Sequence, residues 1–378
     1  MFLKLTDAHL LDEFIVKIGS YRIVNQDVRD MNINWQINEI YTVGEIQFVD
    51  SVHMIEHKPV RVNDEIEISM TDAIKENYKQ TFIITDISEL RVEKNEVVAV
   101  LKFIDKNSFE YMRSFRSKGF SHAKSNDIAK FLLDEYKKDD KSVKNEISGE
   151  KKWGNEEKSG TETHVLPGDR TVMNNLYRLM SEGDFVVFQS RKNINMTEWK
   201  KLTSAEQVEY RLKMVPGNMS YLGKMGDYEA KTSDALSSNT IMPDQDTMKI
   251  KHYDGKKIIK KDLKYDLARD ESGKCGSTDI EWVKGNGTKI MGYMTNTSES
   301  GMYNYKKYVN NMIVMECVVP GTFKRDIGKT IDVQLETLDI SQDIDKNMSG
   351  KWVIIKIVDK THQGFFTQKL TLARSVQK

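Results

Sequence analysis

Short apolar runs with the period of β-strands dominate both ends of the chain, and a longer period takes over between them. In the first third "FIVKIGSYRIV", "INWQI", "EIQFV", "DEIEISM", "QTFIITDI" and "EVVAVLKFI" follow one another. Each is rich in Ile, Val, Phe or Trp and is bounded by Asn, Asp, Gly or Lys, which marks strands on a pleated, half-buried surface. Their spacing predicts an antiparallel barrel or sandwich that runs to about Met112.

The pattern then turns helical. "SNDIAKFLLDEYKK" starts at a capping Ser125 or Asn126 and sets Ile128, Phe131, Leu132 and Tyr136 on one face. A charged stretch from Lys137 to Lys158 reads as a loop. "GDRTVMNNLYRLMSEGDFVVFQS" predicts a helix capped by Asp169, with Val172, Leu176, Leu179 and Met180 as its stripe. Gly183 stops it, and Phe185 to Phe188 form a buried strand. Between Gln207 and Ser300 the pattern is weak, and "KTSDALSSNT" reads as a linker. Seven lysines between Lys249 and Lys264 fit a solvated strand pair better than an anion site. "SGMYNYKKYVNN" reads as one helix, after which strands resume at "MIVMECVV". The expected fold is mainly β with α+β insertions. It divides into a first β-barrel domain at 1–112, an α+β middle domain at 113–205, a loop-rich β domain at 206–305 and a second β-barrel domain at 306–378.

The two ends resemble each other. "NDEIEISM" aligns with "GKTIDVQL", placing Ile66, Ile68 and Met70 on Ile331, Val333 and Leu335 at an offset of 265. "TFIITDI" aligns with "KWVIIKI" at an offset of 270, and "VLKFI" with "KLTLA" at 269. Small drifts of this kind are what loop-length changes produce, so one domain is present twice. In the second copy, alternation puts Trp352, Ile354 and Val358 on one face of a strand and Val353, Ile355 and Ile357 on the other. A strand apolar on both faces needs cover on both, from its own barrel and from another domain or subunit. The hairpin is expected to be an assembly surface. Two similar barrels per chain also allow three chains to form a ring of six, matching a sixfold partner.

Composition narrows the function class. The 378 residues suffice for two to four domains, and 57 basic residues balance 57 acidic ones, which disfavours a dedicated nucleic-acid binder. No apolar run approaches the roughly 20 residues of a membrane span. Asp7, Asp12 and Glu13 interrupt the start, so no signal peptide is expected. Cys275 and Cys317 make no disulfide framework and are read as buried thiols in a reducing compartment.

One stretch imitates chemistry. "HMIEH", His53 to His57, has the H-x-x-E-H spacing of inverted zinc peptidases, with His53 and His57 as ligands and Glu56 as general base. It follows a strand end at Asp50 and is cut off by Pro59, so a surface loop is the expected setting. "GTFKRDIGKT" has six residues between its glycines where a phosphate loop has four, and it leads into a strand; Gly328 is read as a turn residue. "GNGT" at Gly285 is read as a turn, and His9, His122, His164, His252 and His362 are scattered, with His362 exposed at a hairpin tip. No catalytic, cofactor-binding or metal-binding residue is assigned.

Together the segments resemble a family: the central baseplate hub protein of contractile-tailed bacteriophages, similar to the hub half of type VI secretion spike proteins. "GEIQFVDSVHMIEHKPVRVNDEIEISM" resembles the family's first barrel, with "FVDS" as the strand end that leads into a loop. "DRTVMNNLYRLMSEGDFVVF" resembles the helix-then-strand of its middle domain. "MECVVPGTFKRDIGKTIDVQL" with "SGKWVIIKIVDKTHQGFFTQKLTLAR" resembles its second barrel, including the Pro-Gly before the strand. Residues 207–300 resemble it poorly. The resemblance implies two tube-protein-like barrels per chain and a homotrimer between a sixfold tail tube and a threefold central spike. Other baseplate proteins would be partners, without membrane insertion. The site would be the virion tail baseplate, assembled in the host cytoplasm. The hub of a phage-like secretion or bacteriocin particle is the alternative, and a zinc peptidase using residues 53–57 the alternative from another class. DNA would pass through the channel without specific binding. Glu65, Glu67, Ser69, Thr330, Asp332 and Gln334 would then face that channel, or alternatively the acids would face outward into solvent, while Ile66, Ile68, Ile331 and Val333 face the barrel interiors.

Overall fold

A computed structural model describes residues 9–37, 39–50, 55, 60–92, 96–121, 125–133, 146–147, 163–166, 168–183, 185–191, 194–198, 202, 210–214, 219–224, 239–244, 249–254, 288–290, 313–335 and 349–374. The H-x-x-E-H stretch other than Ile55, the segment 300–311, Cys275 and Gly285 lie outside them.

The chain is mainly β. The strands of the first part are β1 (His9–Leu10), β2 (Glu13–Ile18), β3 (Tyr21–Val24), β4 (Val28–Gln36), β5 (Val43–Val49), β6 (Glu65–Thr71), β7 (Asn77–Val92) and β8 (Glu96–Asp105). Helix α1 (Lys106–Arg113) follows at once, where the sequence reading continued strand structure; Asp105 caps it, accepting from the Ser108 amide at 2.9 Å. The middle holds β9 (Lys118–Ser121), α2 (Ser125–Leu133), β10 (Glu146–Ile147), β11 (Thr163–Leu166), α3 (Val172–Gly183), β12 (Phe185–Gln189) and β13 (Ile194–Glu198). Helix α3 starts later than Asp169 would allow: Thr171 is the residue whose hydroxyl accepts from the Asn174 amide, at 3.3 Å. Then come β14 (Tyr210–Met214), β15 (Met219–Lys224), β16 (Asn239–Asp244), β17 (Lys249–Asp254), β18 (Thr288–Ile290), β19 (Ile313–Pro320), β20 (Thr330–Leu335), β21 (Gly350–His362) and β22 (Phe365–Arg374).

Fourteen strands form one curled sheet, in the order β15-β19-β22-β21-β4-β5-β8-β7-β6-β2-β3, with β1 on β22 and β14 on β20. Two strand sets with the same connectivity lie within it. In the first, β6 pairs β7, β7 pairs β8 and β8 pairs β5. In the second, β20 pairs β21, β21 pairs β22 and β22 pairs β19. The registers agree residue by residue: Glu65 opposes Ile83 as Thr330 opposes Val353, and Ile66 opposes Phe82 as Ile331 opposes Trp352. The offsets of 265 and 270 read from the sequence are those of the sheet. A β-bulge falls between Ile84 and Asp86 in one set and between Ile354 and Lys356 in the other, 270 residues on. The second set draws its flanking strands from 210–224: β14 pairs β20 in parallel and β15 pairs β19.

The bulge changes the reading of the closing hairpin. An extra residue reverses the alternation beyond it. Trp352 and Ile354 therefore share the inner side with Ile357, Asp359 and Thr361, all buried, while Val358 is only half-buried. Simple alternation puts Val358 with Trp352 and Ile357 opposite, which the bulge reverses. The doubly apolar pattern thus comes from a phase change, and both Trp352 and Val353 belong to the chain's own core. Ile66, Ile68, Ile331 and Val333 are buried as expected. Thr330, expected on an open channel face, is also buried, at 5% exposure.

The main core runs through both strand sets without interruption and takes Val186 and Phe188 from β12. Val187, on the opposite face of β12, joins a separate core with Ile128 and Leu132 of α2, Leu176 and Leu179 of α3, and Met196 of β13. Strand β12 thereby fastens the α-helical layer to the sheet.

Candidate functional site: the junction between the two strand sets

The two sets meet where β4 of the first pairs antiparallel with the C-terminal half of β21 in the second, from Gln36 opposite Lys356 to Asp30 opposite His362. Beneath this seam lies a knot of buried polar groups. Arg191, just past β12, is its centre. Its Nη1 and Nη2 donate to Asp359 Oδ2 and Oδ1 at 2.6 and 2.8 Å, and its Nε donates to the Arg325 carbonyl at 3.0 Å. The guanidinium lies 4.4, 5.2 and 5.6 Å from the ring centres of Trp35, Phe323 and Tyr78. These rings come from both sets. Arg191 and Asp359 are 4% and 0% exposed, so the pair is removed from water. Two charges in such a site hold only when geometry and further hydrogen bonds compensate for lost hydration. A bidentate fork between aromatic faces supplies that.

The knot extends both ways. Gln368 donates to Asp359 Oδ1 at 2.8 Å and to the Thr322 carbonyl at 2.9 Å, and accepts from Arg325 at 2.8 Å. Asp72, in the β6–β7 turn of the first set, accepts from the Thr322 hydroxyl and the Phe323 amide, each at 3.0 Å, in the second. Its other oxygen accepts from the amides of Ile74 and Glu76. On the far side Ser108 and Thr42 both donate to Gln189 Oε1 at 3.1 Å, and Gln80 donates to Asp105 at 2.6 Å. The middle layer is therefore hydrogen-bonded to both strand sets.

Burial sets the electrostatics. It pushes the Asp326 carboxyl above its ordinary value, opposed by Arg191 and by the Arg191 and Ile327 amides. It does the same to Asp105 against its hydrogen bonds from Ser108, Gln80 and Gln189. Arg191 loses hydration too, but Asp359 and Asp326 beside it hold its proton even more firmly than usual. Burial raises the Cys317 thiol to about 12, which leaves it unreactive. Among the described residues, Asp359 and Asp72 in this knot are each tied to partners from another part of the chain, the arrangement of a fixed joint.

On the outer face, Glu67 sits 2.9 Å from Lys79 and 3.4 Å from Lys17, and Glu65 2.7 Å from Lys106. The Lys79 ammonium, aided by Lys17, holds the Glu67 carboxyl below its ordinary range even though partial burial works against this. His362 is 64% exposed at its hairpin tip, as expected there, and contacts Asp30 at 2.6 Å. The tip is a two-residue turn with positive φ at Gln363 and Gly364.

Arg191 and Asp359 escaped sequence reading. Arg191 stands in "SRKN", which looks like any polar turn, and Asp359 looks outward until the bulge is known.

No family description and no curated protein matches this chain by sequence. Solved structures do match by shape. A 43 kDa tail protein of prophage MuSo2 from Shewanella oneidensis superposes with a TM-score of 0.57 over 96% of this chain and 98% of its own, at 11% identity. A tail protein from Neisseria meningitidis MC58 gives 0.57 over 96% of each chain at 10% identity. A type VI secretion component of E. coli, described as similar to the T4 tail proteins gp27 and gp5, gives 0.52 at 12% identity, over 95% of this chain and 76% of its own. The mainly β fold of this chain is thus one that these phage tail proteins and this type VI secretion component share.

Proposed function

We propose that the protein is a structural component of a phage tail, a homotrimeric baseplate hub between the tail tube and the central spike. One observation carries this reading: a single chain holds the same strand set twice, in matching register, with matching bulges. Three such chains offer six near-equivalent modules with threefold symmetry, which is what an adaptor between sixfold and threefold partners requires. The whole-length likeness to phage tail proteins supports it. The module division at 1–112, 113–205, 206–305 and 306–378 belongs to this reading, with β14 and β15 serving the second module. The lysines beside Glu65 and Glu67 leave this face near neutral, which supports passage of DNA without retention. The particle would carry the hub at its tail baseplate, beside tube, spike and other baseplate proteins. The hub of a phage-like secretion particle is the second reading, favoured by the likeness to the type VI component.

Light scattering and electron microscopy of the purified protein test the proposal. A mass of three times 43.7 kDa and a threefold ring with a central hole are expected. A chain that stays monomeric even with its tube and spike partners would overturn it.

A further inference from the structure

The repeat leaves two strand edges whose counterparts are already joined. In the second set, the N-terminal end of β21 pairs β20, and beyond the bulge Lys356–His362 takes up β4 on the same side. In the first set, the N-terminal half of β7 pairs β6, but Asp86–Val92, the positions 270 residues before Lys356–His362, have β8 on one side and no strand on the other among the described residues. The partner of that vacant type of edge is equally identifiable. β4 pairs β5 as β15 pairs β19: Asn32 opposes Glu45 where Ser220 opposes Glu316, and Ile33 opposes Gly44 where Tyr221 opposes Met315. β15 is the counterpart of β4, and it ends the sheet with its other side unpaired among the described residues.

We propose that β15 of one copy pairs antiparallel with Asp86–Val92 of the next, repeating between chains the β4–β21 seam found within one. This deepens the trimer reading and rests on it. An edge of seven residues with no strand partner among the described residues presents about 23 Å of backbone at about 3.3 Å per residue, and it holds no proline to block pairing. The contact is head-to-tail, so each chain offers one edge of each kind and a ring leaves none over. The register follows from the repeat. Asn32 opposes Lys360 and Ile33 opposes Asp359 within the chain. Between chains Ser220 would oppose Leu90, Tyr221 would oppose Glu89 and Met219 would oppose Arg91.

Cysteines placed at both Ser220 and Leu90, in a Cys275→Ser background, test this; the buried Cys317 stays. Strand partners directly opposite lie within the Cα range that a disulfide spans. Mild oxidation of the full-length protein should give disulfide-linked species of two and three chain masses, absent from either single variant. A Met219→Cys with Arg91→Cys pair serves as the second register mark, and light scattering under reducing conditions reports assembly of each variant. A trimer in which neither pair cross-links would overturn the strand pairing and leave the trimer reading standing. An unsubstituted chain that remains monomeric even with its tube and spike partners would overturn both.

Discussion

Asn63 and Gly328 occupy the same place in the two strand sets, 265 residues apart, and share a left-handed backbone with φ of 80° and 78°. Each amide closes the same turn, donating to Ile84 O at 2.8 Å and to Ile354 O at 2.9 Å. Asn and Gly are the residue types that accept this conformation. Their surroundings differ. Asn63 is exposed, whereas a Cβ on Gly328 would lie 2.6 Å from Cζ of the Phe188 ring.

The two turns should therefore respond unequally to alanine. Asn63→Ala meets left-handed strain alone, about 1–2 kcal/mol. Gly328→Ala adds overpacking against Phe188, about 1–3 kcal/mol more. Urea midpoints of the two variants decide it. An equal or smaller loss in Gly328→Ala would mean that β12 does not seat on the second strand set as described.

The buried fork between Arg191 and Asp359 gives a second expectation. Asp359→Ala leaves a guanidinium without its charge partner between three rings, and loss of about 3–5 kcal/mol is expected. Arg191→Met in the same chain removes the orphaned charge, so the double variant should be more stable than Asp359→Ala alone. A double-mutant cycle by chemical denaturation measures the coupling. Additive losses would show that the pair contributes nothing as a pair.

How much of this was legible depends on whether a feature is local. The strand runs, the α3 stripe of Val172, Leu176 and Leu179, and the repeat were readable because each rests on period and spacing. The bulge at Ile355 was not, since a single extra residue leaves no mark in an apolar run, and it reversed the faces assigned to Ile357 and Val358. Helix α1 was missed because it follows β8 without a break and its capping Asp105 resembled one more polar boundary. The Asn63–Gly328 match was available in the aligned "NDEIEISM" and "GKTIDVQL", whose first letters are the two residues that favour positive φ. The Arg191 knot is out of reach, because Arg191 lies 134 residues from Arg325 and 168 from Asp359, and only the folded sheet brings them together.

Glu67 tests whether the proposed channel face is one. With Lys17 and Lys79 beside it, removing its charge by Glu67→Gln should cost less than about 1 kcal/mol, because the lysines are mostly exposed. Reversal is a different matter. Glu67→Lys with Asp332→Lys adds positive charge to each strand set and, if this face lines the proposed channel, should slow DNA ejection from assembled particles through phosphate binding. Normal ejection kinetics from well-formed particles would remove this face from the channel.

Asp326 should make folding stability fall as pH rises. Its carboxyl is raised above the ordinary 3.8, first by burial, so between 3.8 and its folded value the native chain holds more protons than the unfolded one. Stability then declines with increasing pH across that window, and Asp105 acts in the same direction. Glu67 acts oppositely: its lowered value stabilises above the ordinary 4.5, and that contribution is lost as pH falls. Asp326→Asn keeps an oxygen for the Ile327 amide, which donates at 2.8 Å, and for the Arg191 amide at 3.1 Å, while abolishing the titration. Its absolute stability will also shift, because Arg191 loses a nearby anion, so the slope is the informative quantity. Urea unfolding of both proteins at closely spaced pH values above 3.8 should show the wild-type stability dropping faster with pH than the variant's. Parallel curves would mean that Asp326 titrates alike in the folded and unfolded chain, and that the knot around Arg191 is more open to water than its packing indicates.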